Sequence, residues 1–326
     1  MMQKIRIGVV GTGHLGKFHA HILSGMKRCE LAGIADTNEK VATKIAKECK
    51  TKSYFHHTLL LGKVDAISIA VPTISHYLVA KDFLESGVHT FIEKPITTTV
   101  AEANELIDLA KKKNLILQVG HIEHFNAAIL KLKDIVDRPM FVECHRLGPF
   151  LPRVKDIGVI HDLMIHDIDI IMRIVNSPME SFDAVGVPIL TDKEDIANVR
   201  IRFQNGCTAN VTVSRVTPKP MRKIRIFQKD AYISIDYKDQ SMEVYRKIPV
   251  PHPKPGEVPA RIVRTKIPLK AKNQLELELD HFLDCVETGK EPVVTGEQAR
   301  DALDIIDRIS EQIKDKIKTW APRISS

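Results

Sequence analysis

Through the first third of the chain, short and nearly continuous apolar runs alternate with polar stretches of helical period. The runs at 5–10, 31–35, 66–71, 88–92 and 115–119 predict strands, and the stretches at 38–49, 75–86 and 100–113 predict helices. Strands apolar on both faces and joined by helices form a parallel sheet covered on both sides. Ligands bind such sheets beyond the carboxyl ends of the strands. The residues just beyond each strand are therefore the candidates for function: 11–16, Asp36, 72–76, 93–95 and 120–123.

After about residue 122 the rhythm changes. A helix over 125–136, a strand over 141–146 and a helical stretch over 161–175 come first. From 182 to 267 the pattern is one of successive strands, with turns at Gln204-Asn205-Gly206 and Lys238-Asp239-Gln240. This predicts a mostly antiparallel open sheet with helices on one face. Five prolines between 249 and 259 predict an exposed loop. Two helices close the chain. The last is expected to start at Thr295, with Gln298 completing a capping box and Leu303, Ile306 and Ile309 on its apolar face.

The first strand runs directly into Gly11-Thr12-Gly13-His14-Leu15-Gly16, and Asp36 ends the next strand twenty positions after Gly16. Strand, G-x-G-x-x-G, helix and acid in register are the fingerprint of a dinucleotide-binding βαβ unit. Gly11 permits the tight turn, Gly13 lets backbone approach a pyrophosphate, and Gly16 lets the helix sit close on the strand. The helix points its unpaired N–H groups at the phosphates. Asp36 can accept bonds from both ribose hydroxyls and repels a 2′-phosphate, which favours NAD. Thr37, Asn38 and nearby Lys40 could still accommodate the phosphate of NADP. The fold class expected is thus an α/β Rossmann domain, a doubly wound parallel sheet over 1–121. An α+β domain with a large, mostly antiparallel sheet comes after it, over 122–326.

A chain of 326 residues fits two domains. No apolar run nears the roughly 20 residues that span a bilayer, and with the glycine loop starting at Gly11 no signal peptide is expected. Five scattered cysteines without C-x-x-C predict reduced thiols in the cytoplasm and no zinc site. The net charge of +7 points to anionic partners, yet aromatic content is 5% and no basic stripe interleaves with aromatics, so nucleic acid is not expected. A phosphorylated small molecule suits the modest excess better.

Three segments could do chemistry. Lys94, in Glu93-Lys94-Pro95, is delivered to the ligand edge of the parallel sheet; otherwise it is a solvent-facing strand-end lysine. In the helix opened by His161, Asp162 and His166 are four apart and share a face, as a carboxylate–imidazole pair for proton transfer would. The alternative is a capping Asp with a satisfied His. His161 and His166 are five apart and point to different faces, which argues against a metal. Asp167 and Asp169 sit in the same apolar helix, so some of these carboxylates are structural. At the exit of the last parallel strand, His124 and Asn126 either reach nicotinamide or substrate, or cap the next helix.

In order and spacing, GTGHLG, VPTISH, EKP, VGHIEHFN and DLMIHD resemble the Gfo/Idh/MocA oxidoreductases over essentially the whole chain. The resemblance implies a Rossmann domain, a C-terminal α+β domain, and hydride exchange between a nicotinamide cofactor and a sugar or cyclitol hydroxyl. It assigns Lys94, Asp162 and His166 to catalysis, with Glu93 the acidic partner of the lysine. It assigns Gly11, Thr12, Gly13, His14, Leu15, Gly16, Asp36, Val71, Pro72, Thr73, His76, Glu93, Lys94 and Gly120 to the cofactor site. VGHIEHFN and HDLMIHDIDI are most similar to the nucleotide-sugar 3-dehydrogenases of this family, although those often have arginine where this chain has His124. The substrate implied is a UDP-linked acetamido sugar oxidised at its 3-hydroxyl, bound by Lys94, Asn126, Arg146, Arg153, Asp162 and His166. Arg146, Arg153 and Lys155 either bind its diphosphate or are solvated loop charges. A free cyclitol or aldose, a UDP-linked glucuronate derivative, or a non-catalytic NAD-binding regulator are the alternatives. The general base is His166, or else Lys94. Family members commonly pair through the open sheet, so a homodimer or homotetramer is expected.

Overall fold

In the computed structural model, which describes residues 4–152, 156–251 and 258–324, the apolar runs of the first third are strands β1 (Ile5–Val10), β2 (Cys29–Ala35), β3 (Ser53–Tyr54), β4 (Ala66–Ile69), β5 (His89–Glu93) and β6 (Leu117–Gly120). They form one parallel sheet in the order β3-β2-β1-β4-β5-β6. The order reverses between β1 and β4, which places a ligand crevice at the carboxyl ends of those two strands. β3 was not expected. Two residues at a sheet edge give no periodic signal, and a 3₁₀ turn over His57–Leu60 comes soon after. Helices α1 (Gly16–Gly25), α2 (Glu39–Glu48), α3 (His76–Glu85) and α4 (Val100–Lys112) join the strands. Their starts reflect local chemistry: the Asn38 side chain caps α2, and Thr99 with Glu102 forms a capping box on α4.

The chain forms two compact units, Met1–Ile122 with Asn273–Leu303, and Glu123–Lys272 with Asp304–Ser326. The expected division into 1–121 and 122–326 is thus corrected at its C-terminal end. Helix α7 (Gln274–Thr288) returns to the first unit because Leu279, Phe282 and Leu283 share one core with Ile7, Val9, Ala20, Leu23 and Ile34. Phe282 meets Phe91 edge-on at 5.8 Å. On the surface of this helix Arg28 reaches Asp280 at 2.8 Å and also binds Asp284 and Glu287. Helix α8 (Gly296–Ile324) starts with the expected capping box, Thr295 and Gln298 each bonding the other's backbone N–H.

The second unit is built on an eight-stranded sheet. Its strands are β7 (Pro139–Leu147), β8 (Met179–Val187), β9 (Ile196–Phe203), β10 (Thr208–Ser214), β11 (Met221–Gln228), β12 (Ala231–Asp236), β13 (Ser241–Pro249) and β14 (Ala260–Ile267). Their order is β14-β13-β12-β11-β7-β10-β9-β8, and every pairing is antiparallel except β7 with β10. β9 alternates buried and exposed positions, the signature of a sheet with one covered face. The helix expected over 125–136 is shorter, α5 (Ala127–Leu132), because Ile122–Phe125 forms a 3₁₀ turn and the Asn126 side chain then caps α5. The stretch expected as one helix from 161 to 175 divides into a π-helical turn, Ile160–Met164, and α6 (Ile165–Val175), which ends on Asn176 in the left-handed conformation. Of the proline-rich loop, residues 252–257 lie outside the described residues.

Candidate active site

In the first unit, a cleft of about 530 Å³ opens at the β1/β4 switch point, with Gly11, Gly13, Asp36, Val71 and Pro72 on its walls. Gly11 has φ +84°, and a Cβ there would lie 2.6 Å from the Ala70 carbonyl oxygen. A Cβ on Gly16 would overlap the Gly11 carbonyl, whereas one on Gly13 meets nothing within 4 Å. Gly13, His14 and Leu15 are exposed. Helix α1 has no side-chain cap and no acid in its first turn, so its leading N–H groups suit a phosphate. Asp36 Oδ2 accepts from the Thr12 N–H at 2.7 Å and the Thr12 hydroxyl at 2.8 Å, while Oδ1 accepts from the Asn38 N–H at 2.8 Å. The carboxylate is therefore oriented before any ribose arrives. These features fit a dinucleotide, and the groups that would hold it are the glycine loop, the start of α1 and Asp36.

Two histidines on the cleft wall were not among the residues expected from the sequence. His56 and His57 have ring centroids 4.4 Å apart, and His57 Nε2 lies 2.7 Å from Asp82 Oδ2. They belong to the unpatterned segment around β3, which carries no motif.

His76, expected at the cofactor site, is a strut between two backbone carbonyls. It is 1% exposed, and its two ring nitrogens lie 2.8 Å from the Pro95 carbonyl and 3.0 Å from the Val71 carbonyl. Burial lowers its pKa, although both carbonyl contacts oppose that shift. The ring thus ties the exit of β4 to the exit of β5. Glu93, expected to partner Lys94, has its carboxylate 3.0 Å from His19 Nε2, and His19 Nδ1 lies 2.8 Å from the Ser68 hydroxyl. Gly120 is buried beside it, where a Cβ would lie 3.1 Å from Glu93 Oε2. Lys94 is half-buried at the first position after β5, and the Lys94–Pro95 bond is cis. Val71 and Thr73 are half-buried, and Pro72 is exposed.

In the second unit Asp162 lies in the π turn and His166 in the first turn of α6, both half-buried. His161 is turned to Asp307, with Nε2 2.8 Å from Oδ1. No cluster of three or more His, Cys, Asp or Glu suited to a metal occurs among the described residues. Both neighbouring carboxylates are structural. Asp169 Oδ2 lies 2.5 Å from His124 Nε2, and Arg173 Nη1 lies 3.4 Å from His124 Nδ1. Asp167 is held by Arg146.

Arg146 and Asn126, expected as substrate ligands, both have internal partners. Arg146 is 4% exposed; it donates to both oxygens of Asp167 at 2.9 Å and to Glu123 at 3.0 Å, so its guanidinium is used internally. Asn126 is fully buried, its Oδ1 capping α5 at the Ala128 N–H and its Nδ2 donating to the Tyr237 carbonyl. Of the two readings for Asn126, the cap holds. Strand alternation could have flagged Arg146, since position 146 shares the inward face with Val142 and Cys144. Arg153 and Lys155 lie outside the described residues.

The segment leading into the π turn is anchored by the β8–β9 connection. Asp195 accepts from the N–H groups of Ile189, Leu190 and Thr191 and from Arg215, whose Nη1 donates to the Ile157 carbonyl. Burial pushes the Asp195 carboxyl up, but these donors outweigh it and hold the group well below the usual carboxylate range. A depressed folded-state pKa contributes stability above the unfolded value, and that contribution is lost as pH falls. Asp195→Asn is therefore expected to destabilise the protein by about 3 kcal/mol at neutral pH. The difference from wild type should shrink below about pH 4, near the unfolded-state pKa. Denaturant titrations across that range check it; an unchanged difference at about pH 3, below that pKa, counts against it.

Residues 5–121 match an oxidoreductase family described as having an NAD-binding Rossmann fold, and residues 130–234 match the GFO/IDH/MocA C-terminal domain. The chain is 36% identical over 305 residues to UDP-N-acetylglucosamine 3-dehydrogenase of Acidithiobacillus ferrooxidans, covering 93% of this chain and 95% of that one. A solved structure of that enzyme superposes with a TM-score of 0.89 at 34% identity, covering 96% of this chain and 99% of the other. Myo-inositol 2-dehydrogenase of Thermotoga maritima is 26% identical, covering 92% of this chain and 93% of that one.

Proposed function

Because the chain belongs to the Gfo/Idh/MocA oxidoreductases, with their NAD-binding Rossmann fold, we propose that it oxidises the 3-hydroxyl of UDP-N-acetylglucosamine to the 3-keto sugar with NAD. The observation that carries this is the extent of the likeness: 36% identity over 93% of the chain runs through both units, not through the dinucleotide-binding part alone.

The chain's own residues take these roles. His166 accepts the hydroxyl proton. Asp162, one helical turn earlier, orients the ring and balances the imidazolium. Lys94 donates to the reacting oxygen and stabilises its developing negative charge. A bound nicotinamide supplies the hydride acceptor. The Asp36 carboxylate, fixed by Thr12 and Asn38, binds ribose hydroxyls and disfavours a 2′-phosphate.

The small-molecule substrate is read as a nucleotide sugar, with neither nucleic acid nor membrane as partner. Among the described residues no helix is long and apolar enough to cross a membrane. All five cysteines are buried and free, which supports a cytoplasmic setting. A row of half-buried aromatics on the large sheet, Phe141, Phe227, Tyr232 and Tyr245, with successive centroids 5.7, 4.8 and 5.0 Å apart, supports pairing into a homodimer or homotetramer.

Absorbance at the reduced-nicotinamide band tests the proposal. UDP-N-acetylglucosamine with NAD should give turnover, and N-acetylglucosamine or myo-inositol far less. NADP should be at least about tenfold poorer in kcat/KM, the equivalent of about 1.4 kcal/mol. Equal turnover of free inositol overturns the nucleotide-sugar assignment. Tight NAD binding without turnover of any of the three points instead to a regulatory protein.

A further inference from the structure

Arg146 sits on β7, and four segments of the second unit meet at its guanidinium. Its Nε and Nη2 each donate to one oxygen of Asp167 at 2.9 Å, a bidentate fork onto the first turn of α6. Its Nη1 donates to Glu123 Oε1 at 3.0 Å, in the 3₁₀ turn that leaves β6. The guanidinium also lies over the ring of Tyr237, 5.4 Å from the centroid, just past the end of β12. Arg146 and Asp167 are 4% and 0% exposed, so this cluster touches little water.

Such a cluster is a costly way to stabilise a fold. Well-packed apolar residues of similar volume usually serve as well or better than a buried ion pair. What the fork adds is direction: a planar guanidinium on both oxygens of a carboxylate fixes position and rotation together. Asp167 is the residue after His166, on the turn where the π-helical segment gives way to α6. Successive residues of a helix share one rigid backbone turn. A fork that fixes Asp167 therefore fixes the azimuth of His166 about the helix axis.

We infer that Arg146 is a positioning residue, which acts through Asp167 to aim His166 at the substrate hydroxyl. The inference rests on His166 being the general base. A lysine at 146 keeps the charge but cannot form the fork. A misplacement of about 1 Å can cost up to 10²-fold in rate, so a loosened helix turn should lower kcat on the order of tenfold.

Two variants test this. Arg146→Lys should lose kcat on the order of tenfold, with the KM for sugar and the NAD dissociation constant within about twofold of wild type. Arg146→Met alone strands two buried carboxylates, so it is combined with Asp167→Leu and Glu123→Gln. The triple variant should fold with a melting midpoint near wild type, yet show the same kcat loss. In both, the His166 ring resonance, identified by its absence from His166→Ala, should shift or broaden. A triple variant that is stable and fully active makes Arg146 merely structural and overturns the inference, as does a fully active Arg146→Lys. If His166→Ala itself keeps the wild-type rate, the assignment of the base has failed and the inference falls with it. Loss in His166→Ala beside full activity in the Arg146 variants rejects the inference alone.

Discussion

Lys94→Met should lower kcat by about 10²- to 10³-fold, the effect of removing one preorganised donor from a developing oxyanion, while NAD binding changes little. The reason lies in where β5 ends. The strand runs through the buried Thr90, Phe91, Ile92 and Glu93, and Lys94 is the first residue beyond it, at the carboxyl edge of a parallel sheet. Methionine keeps the apolar stem and removes only the ammonium, so the core of the first unit is undisturbed. Arginine should recover little, because its planar fork cannot replace a compact point charge. The pH profile separates the two possible roles. As a donor, Lys94 must be protonated, so its removal should erase the fall in rate on the alkaline side. As a base it must be neutral, and its removal would erase the fall on the acid side instead. A Lys94→Met enzyme within about tenfold of wild type, well short of the usual cost of a lost donor, would refute both.

The parallel sheet was legible because each of its strands except β3 is a near-continuous apolar run closed by a helix or turn. The cofactor loop was legible for a stronger reason: Gly11 and Gly16 stand where a Cβ collides with backbone, so the chain had few other residues to use. Buried charge was legible only in part. The apolar helix around Asp167 and Asp169 marked some of its carboxylates as structural, but their partners, and the burial of Arg146 and Glu123, show only in the three-dimensional pairing inside the second unit. The strut made by His76 was hidden for a related reason. An imidazole after a strand suits a ligand contact or a strut between two carbonyls equally well, and the choice depends on where β5 ends relative to β4. The return of α7 was hidden as well. Its apolar face declares that the helix packs but not on which sheet, so Leu279, Phe282 and Leu283 could be placed only by the core they join.

His166→Ala should cost the most, about 10²- to 10⁴-fold in kcat, the range for loss of a positioned general base. His166 occupies the first turn of α6, four residues after Asp162 in the π turn, and both side chains are half-buried. π turns recur at functional sites, and here the turn carries the carboxylate while the regular helix carries the imidazole. Asp162→Asn keeps the shape and removes the charge that balances the imidazolium, so it should be slower than wild type by about 10²-fold, less damaging than loss of the base itself. A base must be neutral to act, so wild-type kcat/KM should fall on the acid side, and His166→Ala should flatten that fall. Because both residues are only half-buried, neither change should move the melting midpoint by more than a few degrees, which separates lost chemistry from lost fold. If His166→Ala stays within about tenfold of wild type and keeps the acid fall, the proton leaves by another route and Lys94 becomes the base to examine.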